Sequence, residues 1–472
     1  MTTMRIVLAA LLGALALGAV ACGSEEVGAK TASSAGILRP GAIAYWQTVS
    51  DPDSAQWKHA EELINRFPDG DKWIAELKNK LLRDKKVSWE DDVQPALGDV
   101  VDLAVYDQSS RKPAVVGLTN PADPDKLLAL VRKLDAAEGG DPTVTRVVGD
   151  WVAISDSEAA IDAALKDGGG ASLEDEQSFR SAMNDLPEDA LSRGYVDPAR
   201  ALELVPSEQR KALTMVGLGS LDFAGGWARA KDDGAELALA IRGEGADRLF
   251  SGGEPYSSRF LPKVPDDAFA FLSFQGAGLR RQLEQLRSNP LFAMELREYE
   301  RESGINVDDV IALLDGEIAF YARPAVPIPE LTLVLQTDDE ARASATVERI
   351  LGAVTDKLEG FHLTVGSLDG AVVVSTSTRA VEELQGSGNK LPDSDSYKRA
   401  LNAAGAPDAY TGLAYVDVSQ AWDLIREYLG LAGEEDQVPP AVKRNLEALQ
   451  SLVAFGKQDG SLSTNVAFLE IK

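Results

Sequence analysis

Short runs of period-two alternation recur along this chain between stretches of helical period. Val100 to Tyr106 and Ala114 to Leu118 read as strands, and an acidic cap at Asp123-Pro124-Asp125 opens a helix through Lys126 to Leu134. Trp151 to Ser155 reads as the second strand of a hairpin, with Asp156 standing where the next helix would take its N-cap. Apolar runs flank Asp233-Gly234, a pair that favours a two-residue hairpin turn. Hairpins joined by helices predict an α+β domain, a mainly antiparallel sheet with helices packed on one face.

The same succession returns 217 to 226 residues later, the scale of a duplicated domain. Asp91-Asp92-Val93 ahead of the strand at Val100 is echoed by Asp308-Asp309-Val310 ahead of Ile318 to Ala322. Ala114 to Leu118 matches Leu331 to Leu335, and Trp151 to Ser155 matches Ala371 to Ser375. Ser178-Phe179-Arg180 matches Ser396-Tyr397-Lys398, Tyr195-Val196-Asp197 matches Tyr415-Val416-Asp417, and Asp233-Gly234 matches Asp459-Gly460. The order is collinear throughout. The expectation is two tandem homologous domains, 38–245 and 264–472, joined by a Gly- and Pro-rich linker at 246–263.

Ahead of them lies a different pattern. Arg5 precedes an unbroken apolar run, Ile6 to Gly18, and Ala19-Val20-Ala21-Cys22-Gly23 closes it. The run is shorter than the roughly 20 residues that span a bilayer. Ala19-Val20-Ala21 alone would suit ordinary secretory cleavage. Cys22 is the only cysteine of the chain, and a secreted protein with one free thiol at its new N-terminus would carry a reactive group without a partner. The segment therefore reads as a lipoprotein signal peptide, 1–21, with Cys22 the lipid-bearing residue. Residues 22–37, small and polar, read as a tether. The expected location is the extracytoplasmic face of the cell membrane.

Composition narrows the partners. With 47 basic and 75 acidic residues the net charge is −28, which repels nucleic acid and anionic headgroups alike. An acyl anchor, not a basic patch, has to supply membrane contact. At 472 residues and 44% hydrophobic content the chain can bury more than one core, and without a second cysteine no internal disulfide helps.

Chemistry-bearing motifs are missing. The two histidines, His59 and His362, occupy unrelated places in the two repeats, and neither belongs to an H-E-x-x-H pair. There is no G-x-S-x-G elbow, and Gly168-Gly169-Gly170 lacks the lysine of a phosphate-binding loop. Asp51-Pro52-Asp53-Ser54 and Asp69-Gly70-Asp71 read as turns and caps. No metal and no cofactor are expected. One asymmetry stands out: of seven tryptophans only Trp422 falls in the second repeat. Trp46, Trp57, Trp73 and Trp89 cluster in the opening segment of the first. They read either as core or as an aromatic-lined ligand groove.

The order of elements, with Gly41-Ala42-Ile43-Ala44-Tyr45 and Gln94-Pro95-Ala96-Leu97-Gly98-Asp99, resembles the bacterial family DUF3352, a domain of unknown function whose members are typically secreted or lipid-anchored. The resemblance implies the fold outline and an envelope location and transfers no activity. The functional expectation is a lipid-anchored, non-enzymatic protein that binds or scaffolds an envelope protein partner. The alternatives are a carrier of lipid or another hydrophobic small molecule, and an envelope hydrolase with an unrecognised site.

Overall fold

The computed structural model describes residues 32–472 apart from 83–86, 109–111, 139–140, 216, 245, 247–252, 289, 327, 356–361 and 435–436. The signal segment, Cys22 and most of the tether lie outside the described residues. The chain divides into two compact units, Met1–Gly245 and Ala246–Lys472.

Unit 1 is built on eight strands: β1 (Ala44–Val49), β2 (Gly98–Tyr106), β3 (Ala114–Pro121), β4 (Val144–Val148), β5 (Trp151–Ser155), β6 (Ser192–Val196), β7 (Leu221–Lys231) and β8 (Gly234–Gly243). They lie in the order β8-β7-β6-β1-β2-β3-β5-β4, every neighbouring pair antiparallel. Unit 2 uses β9 (Ala270–Gln275), β10 (Glu317–Arg323), β11 (Glu330–Gln336), β12 (Thr364–Leu368), β13 (Ala371–Ser375), β14 (Gly412–Asp417), β15 (Leu449–Asp459) and β16 (Leu462–Ile471). Their order, β16-β15-β14-β9-β10-β11-β13-β12, is the same when strands are ranked by position within the unit. The first strand of each unit is central because it pairs on both sides.

Helices cover both faces, not one as the alternation suggests. In unit 2, Ala343 and Val347 of helix Glu340–Thr355 pack on Ile318, Leu335, Val372 and Val374. On the opposite face, Tyr397 of helix Asp395–Ala404 meets Tyr415 edge-on, with ring centroids 5.0 Å apart. The reason is legible in β13: all five residues of Ala371-Val372-Val373-Val374-Ser375 are buried, and an unbroken apolar strand needs cover on both sides. In unit 1, Phe179 of helix Gln177–Asp185 wedges edge-on between Tyr45 and Tyr195 at 5.2 and 5.4 Å.

Local signals land within a residue or two. Asp123 caps helix Pro124–Glu138 through a bond from the Asp125 amide, whereas Ser157, not Asp156, caps Glu158–Ala164. Both hairpins form, but the register places Asp232-Asp233 and Gly460-Ser461 at the turns, with Gly460 at a positive φ of 58°.

The segments expected to be tether and linker are partly built into the units. Ser34–Gly36 form a single 3₁₀ turn with Ser34 and Ala35 buried, and Leu38 is wholly enclosed. The buried Asp102 on β2 holds this turn, accepting the Ser34 amide at 2.9 Å and the Tyr45 hydroxyl at 2.6 Å. In unit 2, Glu317 on β10 accepts the Arg259 amide at 2.8 Å, the Ser273 hydroxyl at 2.7 Å and the Ser258 hydroxyl. Phe260 beside them is fully buried, so 253–263 belongs to the packed body of unit 2.

Burial raises the Asp102 carboxyl above its ordinary range, outweighing the lowering effect of hydrogen bonds from Ser34 and Tyr45. The folded chain thus keeps this proton at pH values where the unfolded chain has released it. The stability this group contributes is full below the unfolded value, about 3.9, and is lost as pH rises through the raised native value. Asp102→Asn cannot ionise and is expected to flatten that decline. Urea midpoints from about pH 4 to about pH 8 should show the variant gaining on the wild type as pH rises; a difference constant over that range would rule out the buried acid as its source.

Candidate functional site

Side chains alternate across a strand, so small residues two apart on neighbouring strands open a trough on one face. Unit 2 does this at the centre of its sheet. Register aligns Leu272 of β9 with Ala414 of β14, Ala454 of β15 and Ala467 of β16 in one cross-strand row. Gly412 and Gly456 sit two residues away on the same face, paired with each other. Above this floor runs helix Ala277–Ser288, which packs chiefly on helices Pro290–Ser303 and Val307–Ala312. Its Leu279 and Leu283, one turn apart, remain 43% and 38% exposed. The result is a groove of about 400 Å³ between sheet and helix, floored by Leu272, Phe274, Ala414 and Ala454 and walled by Leu279. That volume lies within the roughly 300–1,000 Å³ of small-molecule sites.

One end of the groove is polar. A Cβ placed on Gly456 would lie 2.1 Å from the Thr411 hydroxyl and 3.2 Å from the Asn465 side-chain oxygen. The missing side chain therefore makes the space into which both groups point. Asp, Glu, Lys, Arg and His are absent from the lining residues.

The corresponding row in unit 1 is filled. Trp46 aligns with Gly194, Gly226 and Leu239. Its indole lies across Gly194, so close that a Cβ there would stand 1.7 Å from Cε3, and its N–H donates to the Ser192 hydroxyl. Here helix Ala55–Asn65 packs directly on β7 and β8, burying Trp57, Ala60 and Leu63.

The four tryptophans singled out from sequence divide accordingly. Trp57 is core, its N–H donating to the Val49 carbonyl at 2.7 Å, and Trp89 is buried beneath the Lys78 ammonium, 5.0 Å from its ring. Trp46 and Trp73 are partly exposed, one flat on the sheet and the other tilted against Phe67 at 5.2 Å. The groove of unit 2 contains none of them. The sequence signal for the unit 2 groove is the alternation of small residues in Gly412-Leu413-Ala414 and Ala454-Phe455-Gly456.

Other sequence candidates resolve simply. His59 Nε2 lies 3.5 Å from Asp232, and His362 is exposed just ahead of β12. Asp51 accepts the Asp53 amide in a turn, and Ser54 caps helix Ala55–Asn65. Among the described residues no three His, Cys, Asp or Glu side chains gather to hold a metal ion, and no helix is long and apolar enough to cross a membrane.

Fold and groove together define an α+β protein of antiparallel sheets with an apolar small-molecule-sized trough. The chain belongs to the DUF3352 family, described as a protein of unknown function, whose model matches residues 131–469. No curated protein matches it.

Proposed function

We propose that this is a lipid-anchored, non-enzymatic binding protein of the cell envelope, held on the extracytoplasmic face of the membrane through Cys22, and that unit 2 takes up a hydrophobic small molecule. The observation that carries the binding reading is the groove: an apolar floor and wall with one polar end, the composition of ligand sites rather than of catalytic ones. The anchor reading rests on the segment that ends at Cys22 and on the strongly acidic remainder. We further propose that the two units arose by duplication. Identical strand order and collinear sequence matches support this, and divergence at one cross-strand row, tryptophan over glycines against leucine over alanines, accounts for a trough at that row that is open in unit 2 and covered by Trp46 in unit 1.

Native mass spectrometry tests these readings together, on the body 32–472 purified from its own host and on the halves 32–245 and 246–472. The expected result is a stoichiometric apolar mass on the body and on the second half, with both halves compact. A clean apo mass would favour the scaffold reading and send the search to protein partners. Halves that fail to fold alone would argue against independent duplicated domains.

A further inference from the structure

We infer that the ligand of the unit 2 groove carries an uncharged hydrogen-bonding head, an alcohol, ester or amide, which seats between Thr411 and Asn465 while its hydrocarbon part lies along Leu272 and Ala454. This inference rests on the binding reading above and specifies its ligand.

Three observations converge. Thr411 is only 3% exposed and lines the groove, and its hydroxyl keeps access to the groove's solvent rather than being sealed away without a partner. Its backbone is fixed, the amide donating to the Gly456 carbonyl at 2.9 Å, so the hydroxyl is held in place at the groove's end. A ligand group that bonds this hydroxyl takes the place of water at the groove's end. Second, the Asn465 side-chain oxygen approaches the same point, and Gly456 leaves it open. A hydroxyl can donate or accept, and an amide side chain does both, so the pair suits a neutral head that also does both. Third, among the described residues no charged side chain lines the groove. A carboxylate or ammonium seated there would be desolvated without a counter-charge, which the site is not built to offset.

The test uses the full-length chain bearing C22S, which has no acylation site, and Nile red as a neutral reporter of groove occupancy. Lauryl alcohol, laurate and dodecylamine, matched in chain length, compete for it. Lauryl alcohol is expected to displace the dye at the lowest concentration. T411V should raise the concentration of alcohol required, corrected for Nile red's own affinity measured in that variant, roughly three- to tenfold, the value of one net hydrogen bond. N465L serves as the second variant and should act in the same direction. Stronger displacement by laurate or dodecylamine, or an equal shift for all three competitors in both variants, would overturn the neutral-head inference while leaving the groove intact. L272E reports on the groove itself: it should abolish dye binding, and undiminished binding in L272E would overturn both readings.

Discussion

Replacing Cys22 by serine is expected to move the protein entirely from the membrane to the soluble fraction and to end incorporation of labelled acyl chains. The magnitude follows from what else could hold the chain to a bilayer. Its net charge of −28 opposes anionic headgroups, and among the described residues no helix could span the membrane. Two or more acyl chains on one residue would then provide nearly all of the affinity, at about 0.8 kcal/mol per buried methylene. Fractionation after carbonate or high-salt washing reads the outcome directly. Membrane retention unchanged in C22S would exclude the anchor.

The second large effect is expected at Gly194. Adding one methyl group there drives a Cβ into the six-membered ring of Trp46 at 1.7 Å, and the ring is the rigid part of a side chain whose N–H is tied to Ser192. Overpacking of this kind typically costs about 1–3 kcal/mol, and the rigidity of the indole puts G194A at the upper end. The double variant W46L/G194A copies the leucine-over-alanine pair of unit 2 and should recover most of the loss. Urea unfolding of the four proteins gives the coupling. Losses that simply add would mean that the glycine is there for another reason.

Much of the architecture was readable from the chain because period-two runs and capping residues act locally. The strands at Val100, Ala114, Trp151 and Tyr195 and their counterparts in unit 2 all form. Two-sided cover was missed because alternation elsewhere outweighed the continuous run at Ala371–Ser375, whose burial on both faces follows from its composition. The packed ends of tether and linker were missed for a different reason. Ser34 and Ser258 look like loop residues until a buried carboxylate 68 or 59 positions away claims them, and such long-range pairing leaves no local trace. The tryptophans that mark a candidate groove in the sequence do not line the trough of unit 2. What makes this one is the lack of side chains at Gly412, Ala414, Ala454 and Gly456, visible only once register sets four strands beside one another.

The docking of Ser34 on Asp102 also sets a height. On the anchor proposed above, with the lipid at Cys22 and the fold beginning at Ser33, the ten intervening residues would give the body a reach on the order of 40 Å at most. A protein so anchored would work in the layer of the envelope next to its own membrane. Any molecule it takes up or hands on has to be met within that layer.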